Sequence, residues 1–310
     1  MKAYLLAAGT GSRLRPMTQW LPKPLVPFLN QPLVHYQHQQ LLEHAAHVRF
    51  NISYLAAPLT AYVNSVPRTS YSLEAQPLGS ARTVWQERDY FDETTIVACA
   101  DVLADYPVEQ LLANHRASGA LVTIATTTVD DPRRFGVIVS APDGRIEAFQ
   151  EKPELPASNT ISTGIYVFEP EVLRHWNSHW QDLGGEAFPH LLAQGVPLNA
   201  WALPGDWQDV GTGENYLFLQ LRRLGGNSLV HPEACVHPSA TLQRTVVGAG
   251  ALIEAGATLT NCIVWPETHV EAGASIGLSV LAPQFSLRLD RRQRTQTVPV
   301  DRRQALRYIS

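Results

Sequence analysis

Two cations and a turn of small residues near the start of the chain have the types and spacing of a phosphate-binding site. Ala7 to Gly11 follows a short apolar run and carries little side-chain bulk, so its backbone N–H groups are able to face an anion. Arg13 comes just after this turn, and Lys23 lies between two prolines that restrict its backbone. The turn and the two cations together predict a site for a polyphosphate.

Two commoner glycine-rich loops do not fit this stretch. A dinucleotide fingerprint requires a third glycine, and Leu14 stands where it belongs after Gly9 and Gly11. A P-loop closes on Gly-Lys-Ser/Thr, whereas Gly11 is followed here by Ser12 and Arg13. The turn therefore indicates a phosphate site of another kind.

An acidic residue follows a later strand directly. Thr95 to Ala100 has the composition of a buried strand, and Asp101 comes immediately after it. A carboxylate at the C-terminal tip of a strand is well placed to hold a hard cation. Asp105 is a weaker candidate and is better explained as a loop or helix-start residue before Pro107.

These side chains need a sheet that brings the ends of several strands together. A helical pattern over Pro32–Glu43, a strand over Val48–Leu55 and a short helix over Leu59–Val63 follow one another closely. Strand–helix–strand units with short connections are right-handed and parallel, and ligands collect at the C-terminal ends of their strands, where Ala7–Arg13 lies. We therefore predict an α/β fold with a doubly wound, Rossmann-like mixed sheet.

The chain changes character from Ser228 onward. Apolar residues recur there in steps of six, six and five, which gives a repeat of 17 residues over Val230, Val236, Leu242, Val247, Ile253, Leu259, Val264, Val270 and Ile276. One apolar residue on each of three short faces predicts a short left-handed parallel β-helix with its own core. The β-helix would contain three histidines, His231, His237 and His269. They leave open an acyl-transfer site, although a position at the corners between coils is the simpler explanation.

Length and composition narrow the class of protein. The 310 residues suffice for a large catalytic domain and a smaller one behind it, and we find no stretch suited to a membrane helix. A net charge of −4 gives no general attraction to nucleic acid or membrane. Met1 and Lys2 lead into a strand without a secretory signal, and the three cysteines lack metal-ligand spacing. We therefore expect a cytoplasmic protein with reduced thiols at Cys99, Cys235 and Cys262.

The first turn and its cations also resemble a known signature almost residue for residue. Sugar-1-phosphate nucleotidyltransferases, or NDP-sugar pyrophosphorylases, share the pattern L-A-x-G-x-G-x-R-L-x-P-x-T followed by P-K-P. Leu6–Thr18 and Pro22–Pro24 match this pattern with both cations in place. The resemblance is to members of the family that act on mannose-1-phosphate or glucose-1-phosphate and carry a C-terminal β-helix. It implies that the nucleotide is contacted by Leu6, Ala8, Gly9 and Gly11.

A second segment resembles the family's nucleotide-recognition loop. Pro77–Ala81 is similar to P-L-G-T-A, with Ser80 in place of threonine. The resemblance implies that Gln76 and Gly79 contact the base. Alone, the segment would be a plain helix start, because serine beside glycine is common there.

Later segments resemble the sugar side of the family's site. Phe149–Pro153 is similar to F-x-E-K-P, which implies that Glu151 contacts sugar hydroxyls and Lys152 the sugar phosphate. Gly136 lies on the preceding strand and is assigned to the same site. Ser162 stands where the family's N-A-G-I-Y strand has a sugar-contacting asparagine, so the preferred sugar does not carry over from relatives.

The resemblance also implies a metal site and a reaction. Trp207–Thr212 is similar to W-x-D-x-G-T, so Asp209 joins Asp101 as a ligand of Mg²⁺, although Ala100 replaces the family's glycine. An oxygen of the sugar-1-phosphate would attack the α-phosphorus of a nucleoside triphosphate and release pyrophosphate. Arg13 would hold the pyrophosphate, Lys23 the α-phosphate and Lys152 the attacking phosphate.

We expect three parts and a homo-oligomer. Residues 1–224 form the predicted nucleotidyltransferase domain, 225–283 the β-helix with hexapeptide-type repeats, and 284–310 an arginine-rich tail. Two alternatives stay open. One is a catalytically silent regulatory subunit, which the intact cations and carboxylates disfavour. The other is a bifunctional protein with acyltransferase activity in the β-helix.

Overall fold

A computed structural model describes residues 1–289 and the backbone of residues 296–299. Backbone contacts divide the chain into two compact units, each assembled from segments that are distant in sequence. The first unit contains Met1–Thr10 and Val34–Gln208, and the second contains Gly11–Leu33 and the chain from Asp209 onward. Most of the arginine-rich tail predicted for residues 284–310 lies outside the described residues, and the domain boundaries predicted from sequence stay predictions.

The first unit is built on a mixed sheet to which nine strands of the described chain belong. These strands span Lys2–Leu6, Val48–Ile52, Thr69–Leu73, Thr95–Cys99, Val122–Thr128, Gly136–Ser140, Ile146–Glu151, Thr160–Phe168 and Leu198–Ala202. Two short strands, Val102–Ala104 and Trp207–Asp209, lie outside this sheet. Helices span Leu33–His44, Ala56–Ser65, Ser80–Gln86, Val108–Ser118 and Phe188–Ala193.

The first strand lies in the parallel part of this sheet. Lys2–Leu6 pairs in parallel with Val48–Ile52 and with Thr95–Cys99, as expected of strands joined by helical crossovers. Tyr4 has no exposed surface, which is typical of a parallel strand covered on both faces. Thr160–Phe168 pairs antiparallel with Thr95–Cys99 and makes the sheet mixed. The predicted α/β fold with a mixed sheet is confirmed.

The second unit contains short turns, a hairpin, one long helix and a run of short strands. The turns are 3₁₀ helices at Ser12–Leu14, Met17–Gln19 and Lys23–Leu25, and the hairpin joins Pro27–Phe28 to Gln31–Pro32. The helix Gly213–Leu224 begins after Thr212, whose hydroxyl accepts the Asn215 amide at 3.2 Å. The later strands span Leu229–Val230, Cys235–Val236, Thr241–Gln243, Val246–Val247, Leu252–Ile253, Thr258–Val264, His269–Val270, Ser275–Ala282, Phe285–Arg288 and Gln296–Pro299.

The strands of Leu229–Ala282 follow the 17-residue repeat, and we call this region the coil stack. Parallel partners on three successive sides are Leu229 with Val246, Cys235 with Leu252 and Thr241 with Thr258. Each partner lies 17 residues further along the chain, so the strands form stacked three-sided coils. Their core is apolar and includes Val247, Ile253, Leu259, Val264 and Val270. The left-handed sense of the coils stays a prediction.

In the described part of the chain, none of the helices combines the length and the apolar character that a membrane span requires.

Candidate active site

The phosphate turn begins where the first strand ends, and a buried amide side chain holds it there. Asn51, on the neighbouring strand and only 4% exposed, accepts a hydrogen bond from the Ala7 amide at 2.7 Å. Ala100 donates its backbone N–H to the Leu6 carbonyl at 3.0 Å, so Asp101 starts at the same end of the sheet. This edge therefore carries the predicted residues Leu6, Ala8, Gly9 and Asp101.

Glu74 ties this turn to the loop Gln76–Gly79, which sequence predicts to contact the base. Its Oε1 accepts hydrogen bonds from Asn51 Nδ2 at 2.8 Å and from the Thr83 hydroxyl at 2.5 Å. Its Oε2 accepts the Leu78 amide at 3.0 Å. Since Asn51 also holds the phosphate turn, one hydrogen-bonded network reaches both predicted nucleotide segments.

Gly79 occupies a position that excludes a side chain. Its φ is +93°, which L-residues with a side chain rarely adopt, and a Cβ would collide with the Gln181 carbonyl oxygen. The same carbonyl accepts the Ala81 amide at 2.9 Å, and the Ser80 hydroxyl accepts the Leu183 amide at 2.9 Å. Gly79 itself is exposed. Its backbone is therefore both constrained and open to a ligand.

The predicted sugar-phosphate residues lie at the ends of two paired strands. Glu151 pairs with Gly136 across the antiparallel ladder, and its carboxylate contacts the ammonium group of Lys152. A Cβ on Gly136 would lie 3.2 Å from a Glu151 carboxylate oxygen, and a Cβ on Gly184 would collide with that same oxygen. Gly184 thus leaves room for this carboxylate, whereas a Cβ on Gly136 would collide first with the Phe149 ring. Lys152 is 62% exposed and carries its charge to the surface.

Ser162 lies where the strand Thr160–Phe168 departs from regular pairing. The register with the neighbouring strand shifts between Ser162 and Tyr166. Gly164, in this bulge, has a φ of +80°, and a Cβ there would lie 3.1 Å from Cys99 Sγ. The Ser162 hydroxyl donates to the Tyr166 oxygen at 3.3 Å. Burial raises the pKa of Tyr166, so this phenol stays protonated at neutral pH.

In the second unit, Lys23 and Asp209 lie together. Lys23 Nζ is 3.8 Å from Asp209 Oδ1, and the lysine is only 6% exposed. Gly11 has a φ of +59°, and a Cβ there would lie 3.0 Å from Lys23 Cβ. The Thr18 hydroxyl donates to the Gly11 carbonyl at 2.9 Å. A Cβ on Gly211 would meet Asp209 Oδ2 at 2.5 Å, so small residues leave space for both charged side chains.

The residues predicted from sequence fall into two groups. The first unit holds Leu6, Ala8, Gly9, Gln76, Gly79, Asp101, Gly136, Glu151, Lys152 and Ser162, and the second holds Gly11, Arg13, Lys23 and Asp209. Sequence reasoning missed Asn51, Glu74 and Gly184. Asn51 had a signal, because an amide inside an apolar strand needs a buried partner. Glu74 and Gly184 had none, since acidic residues and glycines are ordinary in loops.

Asp101 and Asp209 are the oxygen donors predicted for Mg²⁺. Carboxylate oxygens are hard ligands, and Mg²⁺ commonly binds through one or two carboxylates together with waters and phosphates. The chemistry of these two side chains therefore fits the ion. Among the described residues, no group of three or more His, Cys, Asp or Glu side chains is arranged to hold a metal.

The three histidines of the coil-stack region each contact a polar group of the same region. His237 Nδ1 lies 2.8 Å from Ser239 Oγ and accepts the Ser239 amide at 3.1 Å. His231 Nδ1 accepts the amide two residues further on at 3.3 Å. His269 Nε2 lies 2.9 Å from Glu254 Oε1. The contacts of His231 and His237 are typical of turn residues, whereas His269 begins the strand His269–Val270 and contacts a residue earlier in the coil stack.

Comparison with known proteins gives a family. Residues 2–223 match the model of the nucleotidyl transferase family. The chain is 37% identical over 238 residues to a UTP–glucose-1-phosphate uridylyltransferase of Synechocystis, across 70% of this chain and 61% of that protein. It is 33% identical over 243 residues to mannose-1-phosphate guanyltransferase beta-B of Xenopus laevis, across 75% of this chain and 67% of that protein.

A third relative extends further. The chain is 33% identical over 268 residues to the mannose-1-phosphate guanylyltransferase catalytic subunit beta of Danio rerio, across 78% of this chain and 74% of that protein. The chain thus spans about three fifths of the Synechocystis relative and more of the two vertebrate ones. Because the family model covers most of its length, the chain belongs to the nucleotidyl transferase family, among the sugar-1-phosphate nucleotidyltransferases.

Proposed function

We propose that this chain transfers the nucleotidyl group of a nucleoside triphosphate to a sugar-1-phosphate and releases pyrophosphate. The observation that carries the proposal is the hydrogen-bonded network of Asn51 and Glu74. It binds the Ala7 amide at the phosphate turn and the Leu78 amide in the loop assigned to the base. A bound nucleotide would contact the phosphate turn with its phosphates and the loop Gln76–Gly79 with its base. One network supports both segments.

In the proposed reaction, an oxygen of the sugar phosphate attacks the α-phosphorus in line as the bond to the β-phosphate oxygen breaks. In such a transfer, the protein mainly positions the reacting groups and neutralises charge on the phosphates. Lys23 holds the α-phosphate, Arg13 the departing pyrophosphate and Lys152 the attacking phosphate. A sugar phosphate is already ionised at neutral pH, so no general base is required.

Asp101 and Asp209 are proposed to hold one Mg²⁺, which when bound neutralises charge on the nucleotide phosphates. Glu151 is assigned to the sugar hydroxyls by the resemblance of Phe149–Pro153 to the family motif, and Gly184 leaves room for its carboxylate. Ser162 presents a short hydroxyl in place of the family's asparagine. We also propose that the chain acts as a homo-oligomer in the cytoplasm and that residues 225–283 form a separate β-helical domain.

The nucleotide and the sugar are to be found by a pairwise screen. The relatives' names differ in both respects, uridylyl with glucose-1-phosphate and guanylyl with mannose-1-phosphate. UTP, GTP, ATP and dTTP would each be incubated with each sugar phosphate and Mg²⁺, and released pyrophosphate measured. We expect release that requires both substrates. Release without a sugar phosphate, or none with any pair, would contradict the proposal.

Lys152→Ala tests the sugar side of the site. A charge-assisted contact to phosphate is worth roughly 1.5–3 kcal/mol, so we expect KM for the sugar phosphate to rise about ten- to a hundredfold while KM for the triphosphate changes little. Arg133→Ala is the control, because Arg133 is also exposed and contacts a nearby carboxylate, Asp131, at 2.7 Å. An unchanged KM for the sugar phosphate in Lys152→Ala would reject the assignment.

A further inference from the structure

A relay of hydrogen bonds joins the coil stack to the segment that carries Lys23. Trp265, only 4% exposed, donates its indole N–H to the Tyr216 hydroxyl at 2.9 Å. Tyr216, fully buried on the helix Gly213–Leu224, donates its own proton to the Pro27 carbonyl. Burial raises the pKa of Tyr216, so the phenol keeps this proton at neutral pH. Pro27 follows Lys23 by four residues.

The hairpin after Lys23 is held in a strained backbone conformation by the same two elements. Leu29 and Asn30 have φ values of 49° and 64°, a region that is costly for residues with a side chain. The Leu29 amide donates to Gln220 Oε1 on the helix at 2.9 Å. The Asn30 side-chain amide donates to the Val247 carbonyl of the coil stack at 3.0 Å. The helix and the coil stack therefore each secure one strained residue.

A third contact lies over Gly213, at the start of the helix. A Cβ on Gly213 would lie 2.7 Å from Leu287 Cδ2 and 3.4 Å from Met17 Cε. Leu287 belongs to the strand that extends the coil stack, and Met17 is a fully buried residue of the segment with Lys23. The close approach of both side chains to this glycine holds the segment at a further point.

We infer that the coil stack positions Lys23 for the reaction through Trp265, Tyr216 and Pro27, without itself touching the nucleotide. Lys23 is almost fully buried and packs against Gly11, so its side chain cannot swing freely to compensate for a displaced backbone. Pro24 stiffens the connection to Pro27. The inference rests on the proposed function, because that function assigns Lys23 to the α-phosphate. Tyr216 and Trp265 are positioning residues in this scheme.

The test uses Tyr216→Phe, which removes only the hydroxyl. We expect KM for the triphosphate to rise about tenfold, with KM for the sugar phosphate within about twofold of the unaltered chain. In a Lys23→Met background, adding Tyr216→Phe should change KM by less than about twofold, because the group that it positions is already gone. A full tenfold effect in that background would overturn the inference.

The matched control is Thr245→Val. Its hydroxyl donates to the Leu259 carbonyl at 3.2 Å inside the same coil stack and has no bond to Pro27. We expect this variant to lower Tm about as much as Tyr216→Phe does, while KM for the triphosphate stays within about twofold. An equal rise of KM in both variants would mean general destabilisation and would overturn the inference.

Asn30→Gly provides a second variant in case Tyr216→Phe does not fold. Glycine accepts the φ of 64° but loses the bond to Val247, so a rise of KM by about three- to fivefold is expected. An unchanged KM would overturn the inference. If Lys23→Met raises KM strongly and neither Tyr216→Phe nor Asn30→Gly does, only the inference fails. If Lys23→Met leaves KM unchanged, the proposed function fails as well.

Discussion

Gly9 and Gly79 illustrate two different reasons for a glycine in a binding site. At Gly79 the φ of +93° and the Gln181 carbonyl exclude a side chain, so the fold itself requires glycine. At Gly9 a Cβ would meet nothing within 4 Å, and the backbone is not left-handed. The fold therefore leaves space at Gly9. Under the proposed function, that space belongs to the nucleotide phosphates.

Gly9→Ala separates these two reasons by experiment. We expect Tm within about 2 °C of the unaltered chain, because the added methyl group meets open space, and KM for the triphosphate raised about tenfold or more. Gly226→Ala is the control, since a Cβ there also meets nothing within 4 Å and no ligand is assigned to it. Equal KM values in the two variants would show that the nucleotide does not approach Gly9.

At the scale of elements, Glu74 joins a strand, a loop and a helix through three acceptor contacts. Glu74→Gln keeps the shape but turns one oxygen into a donor, which then faces an N–H or O–H group. The mismatch costs about 1–3 kcal/mol, so KM for the triphosphate should rise about tenfold or more. Glu169→Gln is the control, because Glu169 accepts Thr94 and contacts His115 in the same unit. A KM equal to that of Glu169→Gln would reject a role for Glu74 in nucleotide binding.

The helix Leu33–His44 makes stability depend on pH through His38. Its ring nitrogens lie 3.0 Å from the Tyr62 hydroxyl and 3.0 Å from Thr69 Oγ1, and burial lowers the pKa of His38 to about 4. The unfolded chain, with a histidine pKa near 6.5, binds the proton first as pH falls. The stabilisation is therefore complete above about pH 6.5 and is lost progressively toward pH 4.

His38→Gln should remove this dependence. Between pH 7 and pH 4, the free energy of unfolding of the unaltered chain should fall by up to about 3 kcal/mol more than that of His38→Gln. Denaturant titrations at several pH values measure this difference. His179→Gln, which replaces an exposed histidine, should leave the pH dependence almost unchanged. Parallel pH profiles for the unaltered chain and His38→Gln would contradict the expectation.

Elements were more predictable from sequence than the contacts between them. The helix over Pro32–Glu43 and the 17-residue repeat follow from periodicity, which each segment carries in its own residues. The Ala7 contact to Asn51 depends on which strands become neighbours, so local sequence does not contain it. The site residues of the motifs came from family resemblance, and their roles stay predictions.

At the scale of the whole molecule, the family signature is divided between the two units. Leu6–Thr10 belongs to the first unit, and Gly11 onward belongs to the second. The sequence suggested a boundary near residue 224 because the repeat begins after it. The bond from Asn30 to Val247 also associates an early segment with the coil stack. The assignment of an early segment to the second unit depends on contacts between residues more than two hundred positions apart. No local sequence pattern predicts such contacts.

Asp101 and Asp209 carry the last prediction at this scale, because more than a hundred residues separate them in the chain. If they share one Mg²⁺, removal of either carboxylate leaves a half-built site. We expect Asp101→Asn and Asp209→Asn each to lower kcat about a hundredfold or more, and the double variant to be little worse than either alone. Affinity for the triphosphate should fall less than kcat, because Arg13 and Lys23 still contact phosphate.

The measurement is the double-mutant cycle for kcat at saturating Mg²⁺, with Asp105→Asn as the control. Asp105 is an exposed carboxylate that sequence assigns to a loop or a helix start, so its variant should keep kcat within about twofold. When two residues act as a unit, replacing both lowers kcat little more than replacing one. When they act independently, the two losses of kcat multiply. Fully additive losses for Asp101 and Asp209 would therefore mean that the two carboxylates serve different purposes. Asp209 would then be assigned to its ion pair with Lys23, 3.8 Å away.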